Sequence, residues 1–181
     1  MKNLFIDTEI KISNQVWMAE NLDAVHYRNG DLIPQITDDA EWASLTTGAW
    51  CYYDNNVENG KEYGKLYNWY AVADPRGLAP EGWHIPSKEE FQELLDAVGA
   101  NQYQHDDALI AGGSSGFGAL FGGHRFIYGN FYNIGDNFYF WAVTPNYSNY
   151  AWYMYMTSYY RYAFLNYLWH TYGFSVRCIK D

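Results

Sequence analysis

The sequence has no long apolar run, few basic residues and only two cysteines. No stretch of about 18 uncharged apolar residues occurs, so no transmembrane helix is predicted. There are 11 Lys and Arg residues against 21 Asp and Glu residues, which gives a formal net charge of −10. Because phosphate binding needs clustered Lys and Arg, this balance argues against nucleic acid as the ligand and against docking on an anionic membrane. We interpret the negative charge as a source of solubility.

The two cysteines, Cys51 and Cys178, are too few for a disulfide framework or for a zinc site with four close ligands. The sequence leaves open whether they form one disulfide or remain free, buried thiols. The histidines are scattered without the spacing of a metal pair: His26, His84, His105, His124 and His170. We expect His84 to be a hydrogen-bonded core residue.

Residues 54–58 are rich in side chains with oxygen atoms. We interpret them as a solvated loop, with calcium binding as the alternative. Asp106 and Asp107 are interpreted as a polar turn and not as a catalytic pair. We therefore predict no metal site, no cofactor and no catalytic residue.

The length of 181 residues and the hydrophobic content of 49% predict one compact domain spanning residues 1–181. Its first residues, Met1 to Asp7, lack the apolar core of a secretory signal. The chain is therefore kept inside a cell, packaged into a particle, or exported with a signal already removed.

Two main helices are predicted. In Tyr63–Ala73, the residues Leu66, Trp69 and Tyr70 follow spacings of three and four, and Pro75 disfavours helical geometry at the residue before it. A shorter helix is predicted from Asp38 to Leu45, capped by the Asp38 side chain.

The second main helix follows Ser87, which forms a capping box with Glu90. An apolar stripe with the spacing i, i+3, i+4, i+7 begins at Phe91, and Gly99 ends the helix where a left-handed residue is wanted.

Strands dominate the rest of the sequence. They are predicted at residues 4–12, Gln15–Met18, Tyr139–Val143, Ala151–Met156 and Phe174–Ile179, with a hairpin from Phe126 to Tyr132 around Gly129-Asn130. Helices come early and strands late, so the expected class is α+β with small antiparallel sheets.

The most unusual segment is rich in tyrosine. Of the 19 tyrosines, 10 lie between Tyr139 and Tyr172, and Arg161 is the only formal charge between Asn137 and Val176. Tyrosine offers a large contact area with little conformational freedom to lose, and the interleaved Asn and Ser side chains adapt their hydrogen bonds. Because Tyr159 and Tyr160 cannot both point inward on one strand, we expect part of this segment to form an exposed binding surface.

Four motifs in order carry a family resemblance: residues 16–22 (VWMAENL), 63–72 (YGKLYNWYAV), 82–87 (GWHIPS) and 173–178 (GFSVRC). They resemble the major paralogous domain first named from Fibrobacter succinogenes, which is common in Bacteroidetes and their phages. The resemblance runs from about Ile10 to Asp181. It implies the C-type-lectin-like fold, in the variant shared with formylglycine-generating enzymes.

Members of that family include the variable proteins of diversity-generating retroelements, in which adenine-directed mutagenesis randomises codons between constant segments. The resemblance makes Ala151-Trp152 and Gly173 to Cys178 constant, with Trp141, Trp152, Phe174 and Val176 as anchors. It implies these ligand-binding positions: Ala142, Val143, Tyr147, Tyr150, Tyr153, Tyr155, Thr157, Tyr159, Tyr160, Tyr162, Phe164, Asn166, Tyr167, Leu168, Trp169 and Tyr172.

The departures from related proteins are informative. Formylglycine-generating enzymes use a C-terminal cysteine pair, whereas only Cys178 is present here, so that activity is not expected. The lectin calcium motif is also missing its acid, because Thr144 precedes Pro145-Asn146. Ala79 stands where the family often has a cysteine, which leaves Cys178 without that partner.

The sequence therefore predicts a non-enzymatic module for adhesion or receptor recognition, displayed on a cell surface or virion. Its expected partner is a protein on a cell or phage-host surface, with a glycan as the alternative and with no nucleic acid and no membrane insertion. Two other functions remain open: a non-diversified structural or surface-decorating domain, and, less favoured, an oxidase-like or hydrolytic enzyme with a deep cleft.

Overall fold

The computed structural model describes residues 9–99 and 107–181. Within them the protein is α+β, as predicted, with four α-helices and several small antiparallel sheets. The helices are α1 Asp39–Ala43, α2 Val57–Tyr63, α3 Trp69–Val72 and α4 Lys88–Val98, with a 3-10 turn at Tyr53–Asn55. The strands are β1 Glu9–Ile12, β2 Gln15–Met18, β3 Trp50–Cys51, β4 Leu66–Tyr67, β5 Trp83–His84, β6 Gly122–Arg125, β7 Phe131–Ile134, β8 Asn137–Asn146, β9 Tyr150–Thr157, β10 Ala163–Trp169 and β11 Ile179–Lys180.

A four-stranded sheet joins the two ends of the described chain, in the order β1-β2-β11-β5. Ile179 of β11 pairs with Trp17 of β2 on one side and with His84 of β5 on the other. Across this sheet the Lys180 Nζ lies 2.6 Å from the Glu9 Oε1. The predicted strand Gln15–Met18 is confirmed, and the predicted strand at residues 4–12 is confirmed in its described part. Residues 1–8 lie outside the described part of the chain, as do His105 and Asp106.

A three-stranded antiparallel sheet, in the order β10-β9-β8, forms the second half of the fold. Alternate residues of a strand point to opposite faces. On one face Phe140 and Met154 are fully buried in a core cluster with Leu94 of α4. On the other face Trp141 is buried with Phe174. Both faces of this sheet therefore carry core.

Helix α4 forms as predicted. The Ser87 Oγ accepts a hydrogen bond from the Glu90 backbone N–H, and the Glu90 carboxylate accepts one from the Ser87 N–H. Gly99 ends the helix in the left-handed conformation at φ 74°. The short predicted helix is also confirmed as α1, and the Asp38 carboxylate accepts a hydrogen bond from the Glu41 N–H.

The predicted helix Tyr63–Ala73 is wrong. Gly64 follows α2 with a φ of 74°, a conformation that favours glycine and breaks a helix. Leu66 and Tyr67 then pair as β4 with β3, and the Tyr67 N–H donates to the Phe174 carbonyl. Asn68 starts the one-turn helix α3 by accepting from the Ala71 N–H. Pairing with distant residues thus replaces the helical turn that the local spacing favoured.

Two further predictions differ in outcome, and one strand was not predicted. The hairpin around Gly129-Asn130 is confirmed by the pairing of β6 with β7. The predicted strand Phe174–Ile179 is mostly wrong, because residues 173–175 form isolated bridges and only Ile179 begins a strand. Strand β10, Ala163–Trp169, was not predicted from the sequence at all.

Two open questions about single side chains are also answered. Cys51 and Cys178 are both buried, free thiols. His84 is hydrogen-bonded as expected, with its ring nitrogens 2.8 Å from carboxylate oxygens of Glu90 and Asp181, but it is half-exposed and not in the core. No helix among the described residues has the length and apolarity to cross a membrane.

Candidate ligand-binding surface

The side chains of the tyrosine-rich segment divide between the two faces of the β10-β9-β8 sheet. In β9, Tyr153 and Tyr155 point to the face that carries Phe174, whereas Trp152 points to the face that carries α4. Strand β10 continues the same alternation, because Phe164 pairs with Tyr155 and Tyr167 pairs with Trp152. The segment therefore builds two aromatic surfaces instead of one.

The larger surface, which we call the tyrosine ridge, is a row of aromatic rings in successive contact. Centroid distances between neighbouring rings run from 4.9 to 6.3 Å. The row starts at the tip between β9 and β10, passes over Phe174, and ends on the β6–β7 hairpin. Its members are Tyr159, Tyr160, Tyr162, Phe164, Tyr155, Tyr139, Tyr172, Phe126, Tyr128 and Tyr132. Tyr139 is buried, and it is joined to Tyr172 through the buried ring of Phe174.

The smaller surface, which we call the tryptophan patch, lies on the opposite face of the sheet beside α4. It consists of Tyr147, Tyr150, Trp152, Tyr167 and Trp169. The closest pair is Tyr150 and Trp169, whose ring centroids are 4.4 Å apart. The Lys88 ammonium lies 4.0 Å from the Trp152 ring centroid, so this patch already holds one cation from its own chain.

The predicted ligand-binding residues differ in exposure. The exposed ones are Val143, Tyr147, Tyr159, Tyr160, Asn166, Tyr167 and Trp169. The half-buried ones are Tyr150, Tyr155, Thr157, Tyr162, Phe164, Leu168 and Tyr172.

Two of the predicted positions, Ala142 and Tyr153, are buried. Ala142 belongs to the core cluster beneath α4, and its carbonyl accepts a hydrogen bond from the Trp69 indole at 2.9 Å. Tyr153 packs against Phe174 and Trp141. Both side chains are therefore absent from the surface that the other positions share.

The four expected anchors also separate into two groups. Trp141, Phe174 and Val176 are fully buried, and the Trp141 indole donates to the Tyr67 carbonyl at 2.9 Å. Trp152 is half-exposed and forms part of the tryptophan patch.

Three ridge residues, Phe126, Tyr128 and Tyr132, come from the β6–β7 hairpin and were not among the sequence-predicted positions. Tyr128 is 67% exposed and Tyr132 is 48% exposed. The hairpin was recognised from its Gly129-Asn130 turn, but its contact with Tyr172 is long-range. The available sequence signal was a Gly-Asn turn flanked by four aromatic residues.

Buried Arg125 holds that hairpin in place. Its Nε donates to the Gly129 carbonyl at 2.8 Å, which fixes the turn, and its Nη1 donates to the Ile36 carbonyl at 2.6 Å. The backbones of Arg125 and Gly173 exchange two hydrogen bonds of 2.9 Å. The guanidinium also lies over the Trp42 ring at 4.4 Å. These contacts join the hairpin to the segment that carries Tyr172.

Beneath the ridge is a buried imidazole, His124, in ring contact with Tyr132, Tyr139, Tyr172 and Phe174. Its Nδ1 has no hydrogen-bond partner among the described residues. Burial disfavours the charged form and lowers the pKa of His124 to about 4. The ridge therefore rests on a neutral imidazole at physiological pH.

Charge is nearly absent from both surfaces. Arg161 forms an ion pair with Asp107, and its Nε donates to the Ser158 carbonyl, so it shapes the tip between β9 and β10. Among the described residues, no group of three or more His, Cys, Asp or Glu side chains is placed to hold a metal ion. What the two surfaces offer is ring area and tyrosine hydroxyls, which suits contact with a partner.

A family model described as the Fibrobacter succinogenes major domain matches residues 10–180. No curated protein and no solved structure matches the chain.

Proposed function

The chain belongs to the family of the Fibrobacter succinogenes major domain, and we propose that it is a ligand-binding module for adhesion or receptor recognition that displays a diversified aromatic surface. The observation that carries the proposal is the tyrosine ridge. Tyr159 is 81% exposed and Tyr160 is 59% exposed, although burying such rings is favourable. Exposed clusters of large aromatic side chains of this kind are usually interaction sites.

The proposal includes the variable-protein role and the C-type-lectin-like fold. Exposed predicted positions such as Tyr159, Asn166 and Trp169 tolerate many side chains physically, because they add little to the core. Buried Trp141 and Phe174 on one face of the sheet, and Phe140 and Met154 on the other, hold the sheet regardless of what the surface carries. A fixed core under a replaceable surface is what repeated diversification of one segment requires.

The partner we propose is a protein on a cell or phage-host surface, with a glycan as the alternative. The ridge runs across three strands and a hairpin, which suits a broad protein surface. We propose no catalytic role: Arg161 at the tip is paired with Asp107, and His124 is buried beneath the ridge.

A binding experiment tests the surface. We would replace Tyr128, Tyr159 and Tyr160 together with Ser and measure binding to arrays of extracellular proteins and glycans. We expect a loss of at least roughly tenfold in affinity for any hit, with little change in melting temperature, because exposed substitutions usually change stability by about 0.5 kcal/mol or less.

The matched control is Leu32→Ser with Val57→Ser, which removes side chains of 65% and 53% exposure outside the ridge and the patch. Equal loss of binding in the control and the ridge variant would refute the proposed surface. The neighbouring DNA tests diversification separately. A near-copy of the 3′ end differing only at adenines, beside a reverse transcriptase gene, supports the variable-protein role, and its absence favours a non-diversified surface-decorating domain.

A further inference from the structure

We propose that strand β10 is a docking edge that accepts an extended, basic peptide segment of the partner as an additional antiparallel or parallel strand. The inference rests on the proposed function, because it names the partner chemistry of the same surface. Strand β10 is the last strand of its sheet, and among the described residues it pairs only with β9. An unpaired edge presents a row of backbone donors and acceptors that match another strand.

The register shows which backbone groups point outward. The Trp141 N–H donates to Ser175 and not to β9, so the Trp141–Tyr153 pair is not a hydrogen-bonded one. In a central antiparallel strand, successive residues form their backbone hydrogen bonds alternately with one neighbouring strand and with the other. Tyr153 therefore forms its backbone hydrogen bonds with its β10 partner Asn166. The next residue, Tyr167, therefore directs its N–H and C=O away from β9.

An independent contact agrees with this orientation. The Tyr167 N–H donates to the side-chain oxygen of Asn166 at 2.8 Å, which only an outward-facing N–H can do without breaking the ladder. By the same alternation, the N–H and C=O of Leu165 also point outward. Without a partner strand, the Asn166 side-chain oxygen accepts from this donor, and an added strand would take its place there and also bind the outward groups of Leu165.

The edge lacks the features that usually block strand addition. Strand β10, Ala163–Trp169, contains no charge, no proline and no glycine. The neighbouring rings would receive the side chains of an added strand on both faces. Phe164 and Leu168 lie on the ridge side, and Tyr167 and Trp169 lie on the patch side.

The negative net charge of the chain and its aromatic ring faces favour a basic peptide segment of the partner. The chain carries a net charge of −10, and Arg161, the one cation between Asn137 and Val176, is already paired with Asp107. Tyrosine and tryptophan ring faces attract ammonium and guanidinium groups, as Lys88 over Trp152 illustrates. The negative net charge would attract a peptide with Lys or Arg at alternate positions, and the aromatic ring faces would bind those cationic side chains.

This arrangement would divide recognition into two parts. The backbone edge is the same whatever side chains β10 carries, so it supplies affinity that diversification does not erase. The side chains at alternate positions supply the specificity.

The test uses the full chain and a display library of linear peptides of about ten residues with Lys or Arg at alternate positions. We expect enriched peptides to bind Tyr167→Pro at least roughly tenfold more weakly than Tyr167→Ala. Both variants lose the ring, but only proline removes the outward N–H, and it does so without removing a hydrogen bond to β9. Thermal melting identifies whether the proline variant is folded.

A second measurement does not depend on that variant. Addition of an enriched peptide to the unsubstituted chain should slow amide hydrogen exchange at Leu165 and Tyr167, and leave Asn166 unchanged because β9 already protects it. Unchanged exchange at Leu165 and Tyr167, equal affinities for the two Tyr167 variants, or failure to enrich any peptide would overturn the docking edge.

The same peptides separate this inference from the proposed function. If the Tyr128, Tyr159 and Tyr160 variant binds them normally while the exchange effect persists, the edge stands and the ridge proposal fails. If that variant loses binding but exchange at Tyr167 never changes, the ridge stands and the edge fails.

Discussion

Tyr155 and Phe164 stack directly across β9 and β10, with ring centroids 5.3 Å apart and planes 25° from parallel. Both are predicted ligand-binding positions, yet each is half-buried and supports the other. Substitution at one therefore changes the environment of its neighbour. The ridge contains coupled pairs as well as freely replaceable side chains.

The Tyr155–Phe164 stack should give a measurable coupling energy. We expect Tyr155→Ala and Phe164→Ala to be non-additive by about 0.5–1 kcal/mol in free energy of unfolding, because each single change already removes the ring contact. Urea unfolding of the two single variants and the double variant measures it. As a control, Tyr159 and Phe164, which are not in ring contact, should be additive, and additivity in both cycles would contradict a supporting role for the stack.

Loss of Arg125 should destabilise the protein and free the hairpin. Arg125→Met keeps most of the side-chain volume but leaves the carbonyls of Ile36 and Gly129 without their donor. We expect a loss of about 3 kcal/mol in free energy of unfolding. Exposed Arg76→Met is the matched control, for which a much smaller loss is expected because its ion pairs are solvent-exposed. Similar losses in both variants would argue against Arg125 as the support of the hairpin.

Acid should destabilise the protein through His124. Its pKa is about 4 when folded and near 6.5 when unfolded, so the unfolded chain binds a proton first as the pH falls. Stability should therefore be unaffected above pH 6.5 and fall progressively between pH 6.5 and 4, by on the order of 3 kcal/mol in total. Denaturant unfolding across this range, in comparison with His124→Phe, isolates the effect. Parallel pH profiles for the two proteins would show that His124 is not the group responsible.

We expect the backbone conformation of Tyr147 to lower the stability of the protein while its exposed ring stays available for contact. It has a φ of 55°, a left-handed conformation that is unfavourable for a bulky residue, and its side chain is 77% exposed. Tyr147→Asn should stabilise the protein by about 1 kcal/mol, since asparagine tolerates this conformation. Tyr160→Asn, at a position without positive φ, is the control and should not stabilise. A melting temperature that falls in Tyr147→Asn would mean that the Tyr147 ring contact with Tyr167 outweighs the backbone strain.

The elements that sequence predicted well are those with local causes. Helix α4 depends on Ser87, Glu90 and Gly99, which lie within or next to it and act through their own backbone and side-chain contacts. The segment Tyr63–Ala73 shows the opposite case. Its apolar spacing fits a helix, but Gly64 breaks it and Tyr67 pairs with Phe174, more than 100 residues away.

Strand β10 escaped recognition for a different reason. Prediction of a strand relies on alternating apolar and polar residues, whereas Phe164 and Leu165 point to opposite faces of a sheet that is aromatic on both sides. Because both faces of the sheet are aromatic, the sequence pattern also did not show that the segment divides into the tyrosine ridge and the tryptophan patch. Sequence identified that the segment is exposed and aromatic, but only the pairing of β9 with β10 separates Tyr155 from Trp152.

The ion pair between Glu9 and Lys180 has a consequence for engineering. It brings the two ends of the described chain together on one sheet. A short linker from Asp181 to Glu9, in place of residues 1–8, would permit circular permutation, with new termini opened at the exposed Gly112 turn. Such a permutant could be inserted into a carrier protein through that turn, while the β10-β9-β8 sheet kept its own connections and its presentation of both aromatic surfaces.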